Sequence, residues 1–226
     1  MTSERTQPVL LSWSGGKDSC LALWELQHDG DLRVEALLTT VTKDYGRISM
    51  HGVRRSLLQR QAEVLGLPLH EVQIPKGASN ADYEAEFGRA LSRYRSLGVD
   101  RIAFGDLFLE EIRAYRQRLL SALGMTGLYP LWGRDTRRLI REFIRLGFRT
   151  VVVCVDPTKL DPRFAGRIID ERFLDEIPAS VDPCGENGEF HTFVFDGPLF
   201  SAPVRFSLGE VVLRDSFWFC DLLPQA

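Results

Sequence analysis

The chain has 226 residues and a mass of 25.6 kDa, with 44% hydrophobic, 26% charged and 10% aromatic residues, a mixture that excludes fibrous, low-complexity and wholly disordered proteins. Its 28 basic and 31 acidic residues leave a net charge of −3, so no overall positive field gathers polyanions and nucleic acid is disfavoured as a general partner. Cys20, Cys154, Cys184 and Cys220 contain no C-x-x-C pair, which argues against zinc and against a disulfide framework. The start, MTSERTQP, lacks the basic-then-apolar pattern of a signal peptide, and the longest apolar run, Val151 to Val155, is too short for a bilayer. A cytoplasmic setting with no membrane contact is the expectation.

Short apolar runs alternate with longer helical patterns, the signature of βα units and a parallel sheet. Val9 to Trp13 is the first strand, followed by a Gly-rich turn and a helix over Ser19 to Gln27 that stops near Gly30. Val34 to Val41 is the second strand. After a polar loop, Arg54 to Leu65 places Leu57, Leu58, Gln61, Ala62 and Leu65 at helical spacing, with Gly66 and Pro68 marking the end. Leu69 to Ile74 is the third strand. Ser79 to Leu97 reads as a longer amphipathic helix, capped by the pair Ser79 and Asp82 and closed by Gly98.

Arg101 to Phe104 is the fourth strand. A helix over Leu109 to Leu123, a turn at Pro130 and a helix over Asp135 to Leu146 then lead to a buried fifth strand, Thr150 to Val155. After Asp156, prolines at 157, 162, 178 and 183 break the rhythm, and only a short helix near Asp170 to Glu176 follows. Phe190 to Phe195, Val204 to Phe206 and Glu210 to Phe219 alternate apolar and polar residues, as antiparallel strands do. The expected fold is α/β, with a five-stranded parallel, doubly wound sheet over residues 1–156 and a small β-rich subdomain over 157–226. Trp218 and Phe219 read as core in preference to a subunit contact, and a homodimer stays open.

The strongest chemical signal is Ser14-Gly15-Gly16-Lys17-Asp18-Ser19, placed directly after an apolar strand and opening a helix. Two glycines let backbone N–H groups converge, and the helix start adds a positive partial charge, so the natural ligand is phosphate. The spacing is neither G-x-x-x-x-G-K-[ST] nor G-x-G-x-x-G. A second unusual stretch, Cys184-Gly185-Glu186-Asn187-Gly188-Glu189-Phe190-His191-Thr192, gathers two carboxylates, an imidazole and a thiol. It is open to a plainer account, with Asn187-Gly188 as a hairpin turn and His191 as a structural histidine. Two segments after strand four complete the set: Phe104-Gly105-Asp106-Leu107-Phe108 with Glu110, Glu111 and Arg113, and Leu128-Tyr129-Pro130-Leu131-Trp132.

SGGKDS resembles the pyrophosphate-binding loop of the PP-loop ATP pyrophosphatases, which share an adenine nucleotide α-hydrolase-like, Rossmann-like fold and cleave ATP to AMP and pyrophosphate. The resemblance implies that Ser14, Gly15, Gly16, Lys17, Asp18 and Ser19 hold the leaving pyrophosphate, with Asp18 contacting Mg²⁺. The rule that ligands lie beyond the carboxyl ends of strands at a switch point then puts adenine near Thr39, Thr40 and Gly105. The ordered trio of SGGKDS, LxPLW at Leu128 to Trp132 and CGExGE(F/Y) at Cys184 to Phe190 is similar to the diphthine–ammonia ligase family and its relatives.

That similarity implies ATP-dependent activation of a carboxylate, that of diphthine, a modified histidine on translation elongation factor 2, followed by attack of ammonia to form an amide. In these terms Lys17 and Asp18 attend the pyrophosphate, and Glu186, Glu189 or His191 removes a proton from the attacking nitrogen. Arg113 pairs with the α-phosphate or the acceptor carboxylate. Cys184 is structural or lines the substrate. Thr2 stands where a glutaminase would need an N-terminal cysteine, so free ammonia is the nitrogen source. The acceptor is a protein such as the elongation factor or a small molecule; the competing functions are another PP-loop enzyme, such as a tRNA thiolase, and a non-catalytic adenine-nucleotide-binding regulator.

Overall fold

Three apolar residues in a row, Val9, Leu10 and Leu11, have no exposure to solvent, which is the mark of a strand covered on both faces. They belong to β1 (Gln7–Ser12), the centre of the main sheet in a computed structural model that describes residues 6–43, 47–48 and 52–225. The reading of the chain start, Thr2 included, lies outside these residues. β1 is followed by α1 (Lys17–His28), β2 (Leu32–Thr42), β3 (Arg47–Ile48), α2 (Arg55–Leu65), β4 (Leu69–Ile74), α3 (Asn80–Ser96), β5 (Arg101–Ala103), α4 (Glu110–Ala122) and β6 (Thr126–Leu128). β1 pairs in parallel with β2 and β5, β2 with β4, and β5 with β6, so five parallel strands run in the order β4-β2-β1-β5-β6. β3 adds a short antiparallel pairing at the far end of β2.

The sheet is doubly wound because its side chains alternate. Leu10 packs with Ala36, Leu38 and Ile102 against Phe87 and Leu91 of α3 and Leu120 of α4. Val9 and Leu11 point the other way, into a larger core with Leu23 of α1, Leu57 and Leu58 of α2 and the C-terminal half of the chain. The Ser79–Asp82 pair closes the capping box expected at the start of α3.

Beyond β6 come α5 (Thr136–Arg145), β7 (Arg149–Val155), a 3₁₀ turn (Pro162–Phe164), α6 (Glu171–Glu176), β8 (Phe190–Asp196), β9 (Phe206–Arg214) and β10 (Phe217–Pro224). The last four strands form an antiparallel sheet in the order β8-β7-β10-β9. Here two expectations are corrected. The segment Thr150 to Val155 is not the fifth parallel strand; it pairs antiparallel with β8, Val151 opposite Phe193, and with β10, Cys154 opposite Phe219. The fifth parallel place belongs to Thr126–Leu128, three residues too short to show a period. Complete burial signals a covered strand without saying which sheet covers it. Likewise Glu210 to Phe219 is not one strand but the two arms of a hairpin, turning at Asp215 and Ser216 with φ of 47° and 73°. That turn is made by residues other than the usual Asn-Gly pair.

The two halves meet at Gln61 of α2, which has no solvent exposure. Its Nε2 donates to the carbonyl oxygens of Gly15 (3.0 Å) and Val194 (2.6 Å), while Oε1 accepts from Trp13 Nε1 (2.9 Å). Gln61→Ala leaves these buried groups short of partners and is expected to cost about 2–4 kcal/mol of stability. Denaturant unfolding measures this, and a loss under about 0.5 kcal/mol, the level of an ordinary surface change, would show that the bridge carries no weight.

Candidate active site

The chain leaves β1 through Trp13, turns over Ser14 to Gly16 and enters α1 at Lys17. Gly15 has φ of +76°, and a Cβ there would lie 2.8 Å from Gln61 Oε1, so this corner requires glycine twice over. Gly16 is the N-cap of α1 and no side chain caps the helix. Ser14 instead ties the turn internally: its Oγ accepts from Gly16 N (3.2 Å) and shares a hydrogen bond with Ser19 Oγ (3.1 Å), which also reaches Gly16 O (3.0 Å). From β8, Thr192 Oγ1 accepts from Lys17 N (3.0 Å) and Val194 N donates to Gly15 O (2.9 Å).

Ser14, Gly16, Lys17, Asp18 and Ser19 line a cleft of about 570 Å³, within the range of small-molecule sites, at the carboxyl ends of β1, β2 and β5. Thr39, Thr40 and Gly105 line it as well. Thr39 Oγ1 is buried with no hydrogen-bond partner, a group that a bound nucleotide can satisfy. Gly105 has a packing reason: a Cβ would sit 2.8 Å from the carbonyl carbon of Asp18, so the backbone after β5 runs directly against the first turn of α1.

Lys17 is only 4% exposed, and its Nζ lies 2.6 Å from Asp18 Oδ2 and 5.7 Å from the centre of the Phe190 ring. Burial works against the ammonium, but Asp18 and the other nearby acids outweigh it and raise its pKa, so Lys17 is a cation at the mouth of the loop. Glu186 faces the same cleft and accepts from Leu107 N (2.8 Å), joining the Cys184–Phe190 segment to the loop after β5. Burial lifts its carboxyl to about 7, with Asp18 and Asp106 pushing the same way against the Leu107 N–H and Lys17. His191 also lines the cleft, and burial, aided by Lys17, lowers its pKa to about 4, leaving a neutral imidazole near pH 7.

Glu189 does not line the cleft. It is 3% exposed, and its Oε1 accepts from Asp182 N (3.0 Å) and Asn187 Nδ2 (3.1 Å), so it shapes the loop that carries Glu186. Cys184 is buried at the cleft wall with Sγ directed at Thr136 O (3.4 Å), and burial pushes its thiol far up. Arg113 is also placed away from the cleft, its guanidinium over the rings of Tyr129 (4.9 Å) and Trp132 (4.5 Å). One turn later, Arg116 lines the cleft instead, with Nε 3.1 Å from Asp106 Oδ2 and its guanidinium 4.1 Å from the centre of Phe104. Arg116 and Tyr83 are not singled out by the sequence; for Arg116 the reason is that positions three apart on α4 share a face, so spacing does not choose between it and Arg113.

Because the Glu186 carboxyl is lifted from 4.5 to about 7, the folded chain holds a proton through that window that the unfolded chain releases. The contribution of Glu186 to stability therefore falls as pH rises from about 4.5 to about 7, whereas His191, lowered from 6.5 to about 4, contributes a rise over the overlapping window from about pH 4 to about pH 6.5. Glu186→Gln removes the falling contribution and leaves the rising one, so its melting temperature is expected to climb relative to wild type as pH rises from about 5 to about 7. An unaltered pH dependence in the variant would mean that the carboxyl is not held protonated.

Residues 7–127 match the Diphthamide synthase N-terminal domain and residues 135–222 match the Diphthamide synthase C-terminal domain. A Danio rerio protein named diphthine–ammonia ligase is 26% identical over 222 residues, covering 89% of this chain and 87% of that protein. A Schizosaccharomyces pombe protein of the same name is 25% identical over 237 residues, covering 94% of this chain but 38% of the yeast protein, so the chain spans well under half of that relative's length. Among solved structures, a predicted subunit of tRNA methyltransferase from Methanocaldococcus jannaschii aligns with a TM-score of 0.42 at 18% identity, over 63% of this chain and 77% of that one. The two domain matches between them take in the Ser14–Ser19 loop and the Cys184–Phe190 segment, and the chain belongs to the diphthamide synthase family.

Proposed function

We propose that this chain is an ATP-dependent ligase that adenylates an acceptor carboxylate and joins it to ammonia, releasing AMP and pyrophosphate. The observation that carries this reading is the convergence on one cleft of the phosphate loop at Ser14–Ser19 and the Glu186 and His191 segment from the far end of the chain. The acceptor is diphthine, the substrate named in the curated relatives, presented on translation elongation factor 2. A cytoplasmic setting accords with this; among the described residues no helix is long and apolar enough to cross a membrane.

A carboxylate is a poor electrophile, and transfer of AMP to it creates a mixed anhydride with a good leaving group. Charge then grows on the departing pyrophosphate, where the Lys17 ammonium and the dipole at the start of α1 stabilise it. Among the described residues no cluster of three or more His, Cys, Asp or Glu side chains can hold a metal. Mg²⁺ carried on nucleotide phosphates commonly takes one or two protein carboxylates, and Asp18, which lines the cleft beside the loop, is the candidate here. Bound there, Mg²⁺ would neutralise phosphate charge. Ammonia attacks as the neutral base, so its proton needs an acceptor: Glu186 titrates near neutrality and faces the cleft, whereas neutral His191 is a weak base suited to orienting the nitrogen.

The competing readings have less support. A thiolase needs a reactive sulfur, and all four cysteines are buried and free, with the cleft-lining Cys184 thiol pushed away from the thiolate. A non-catalytic regulator leaves the buried, titratable Glu186 without a purpose.

Purified protein incubated with MgATP, ¹⁵N-ammonium and diphthine-bearing elongation factor 2 is expected to form AMP and pyrophosphate together with ¹⁵N in the factor. Asp18→Ala should lower AMP formation about 100-fold or more while circular dichroism stays native. Glu186→Gln should slow amide formation by about 10²–10⁴-fold and spare ATP–pyrophosphate exchange. AMP without ¹⁵N incorporation would assign a different nucleophile, and no AMP at all would overturn the ligase reading.

A further inference from the structure

A second cavity, of about 550 Å³, runs between α3 and α4 beside the nucleotide cleft. Its walls are rings and aliphatic chains, chiefly Tyr83, Phe87, Phe104, Ile112, Tyr115 and Leu119. Tyr83 and Phe87 stack with ring centres 5.5 Å apart and planes 12° from parallel, a rigid apolar surface. Asn80, Tyr83, Phe87 and Arg116 line both cavities, so the groove opens into the cleft, and Arg116 is the cation at the junction. Its only ion pair among the described residues is the Nε contact with Asp106. The Nη1–Nη2 edge of a guanidinium engaged through Nε is the edge that takes a second carboxylate in bidentate fashion. Ile112, which lines the groove, is 41% exposed, and Phe108, just ahead of α4, is 38% exposed.

We propose that the α3–α4 groove is the acceptor subsite: it takes the carboxylate-bearing side chain presented by a partner protein against its aromatic walls and brings that carboxylate to Arg116 at the edge of the nucleotide cleft. The proposal rests on the ligase reading for its chemistry, and on the continuity of the two cavities and the charge of Arg116 for its place. Polyphosphate is a poor fit to the groove, since phosphates require a run of N–H groups or cations, and apart from Arg116 and Asn80 these walls are rings and aliphatic chains. The exposed Phe108 and Ile112 then meet the surface of the protein that carries the acceptor.

The test separates the groove from the reaction. With ¹³C-methyl-labelled isoleucine in the full chain, titration with 4-phenylbutyrate, a carboxylate on an apolar body, is expected to shift the Ile112 methyl signals, with saturating AMP present, and Arg116→Gln is expected to weaken that binding about tenfold. No shift at Ile112, or a shift abolished by AMP, overturns the subsite. In turnover, Ile112→Glu and Tyr115→Ala lie outside the nucleotide cleft and should raise KM for the protein acceptor about tenfold while MgATP affinity stays unchanged. An unchanged acceptor KM overturns the assignment in the presence of working ligase chemistry. If the wild type makes no AMP, the ligase reading fails and the methyl titration alone decides whether the groove binds a carboxylate.

Discussion

A primary amide buried without any contact with water is costly unless each of its polar groups finds a partner, and Gln61 meets that condition by reaching three segments at once. It binds the end of β1 through Trp13, the phosphate loop through Gly15 and the second sheet through Val194. Trp13 and Gly15 lie outside regular structure where they are held, whereas Val194 is part of β8. The Gly-rich loop has little conformational preference of its own, and its shape comes from α2 on one side and β8 on the other. A phosphate site made of backbone N–H groups works only if those groups already point at one place, and the buried amide is one of the contacts that fix the loop's shape.

Around this fixed loop the cleft sets two cations, Lys17 and Arg116, among three acids, Asp18, Asp106 and Glu186. Each cation has one acid as a close partner, Lys17 with Asp18 and Arg116 with Asp106. Glu186 has only a peptide N–H, and it is the one whose carboxyl rises to about 7. Similar side chains thus acquire different work through pairing and burial: the paired acids hold cations in place, and the unpaired one is free to exchange a proton near neutrality. His191, at the start of β8, is driven in the opposite direction by burial and stays neutral near pH 7.

Much of this architecture was legible from residues alone because the signals were local. The loop followed an apolar strand and opened a helix, and Ser79 with Asp82 announced the start of α3. What escaped was everything decided by packing between distant parts. Val151 to Val155 reads as a covered strand in any sheet, so its place in the second sheet was invisible, while Thr126–Leu128 carries a glycine and too few residues to betray a period. Glu186 and Glu189 are chemically alike in sequence. Only the fold shows that one faces the cleft and the other is turned inward to hold Asp182 and Asn187. Arg113 and Arg116 differ by less than one turn, and aromatic rings at Tyr129 and Trp132 capture the first of them.

The clamp on the loop also dictates an order of assembly. Lys17 N and Thr192 Oγ1 are 175 positions apart, so the contact that sets the first turn of α1 closes a very long stretch of chain. During synthesis β1, the loop and α1 leave the ribosome first and meet their fastening only when β8 has followed. Before then the segment has the dipole and the lysine but no fixed cradle. The loop's framework is therefore complete only in a chain that has already made β8.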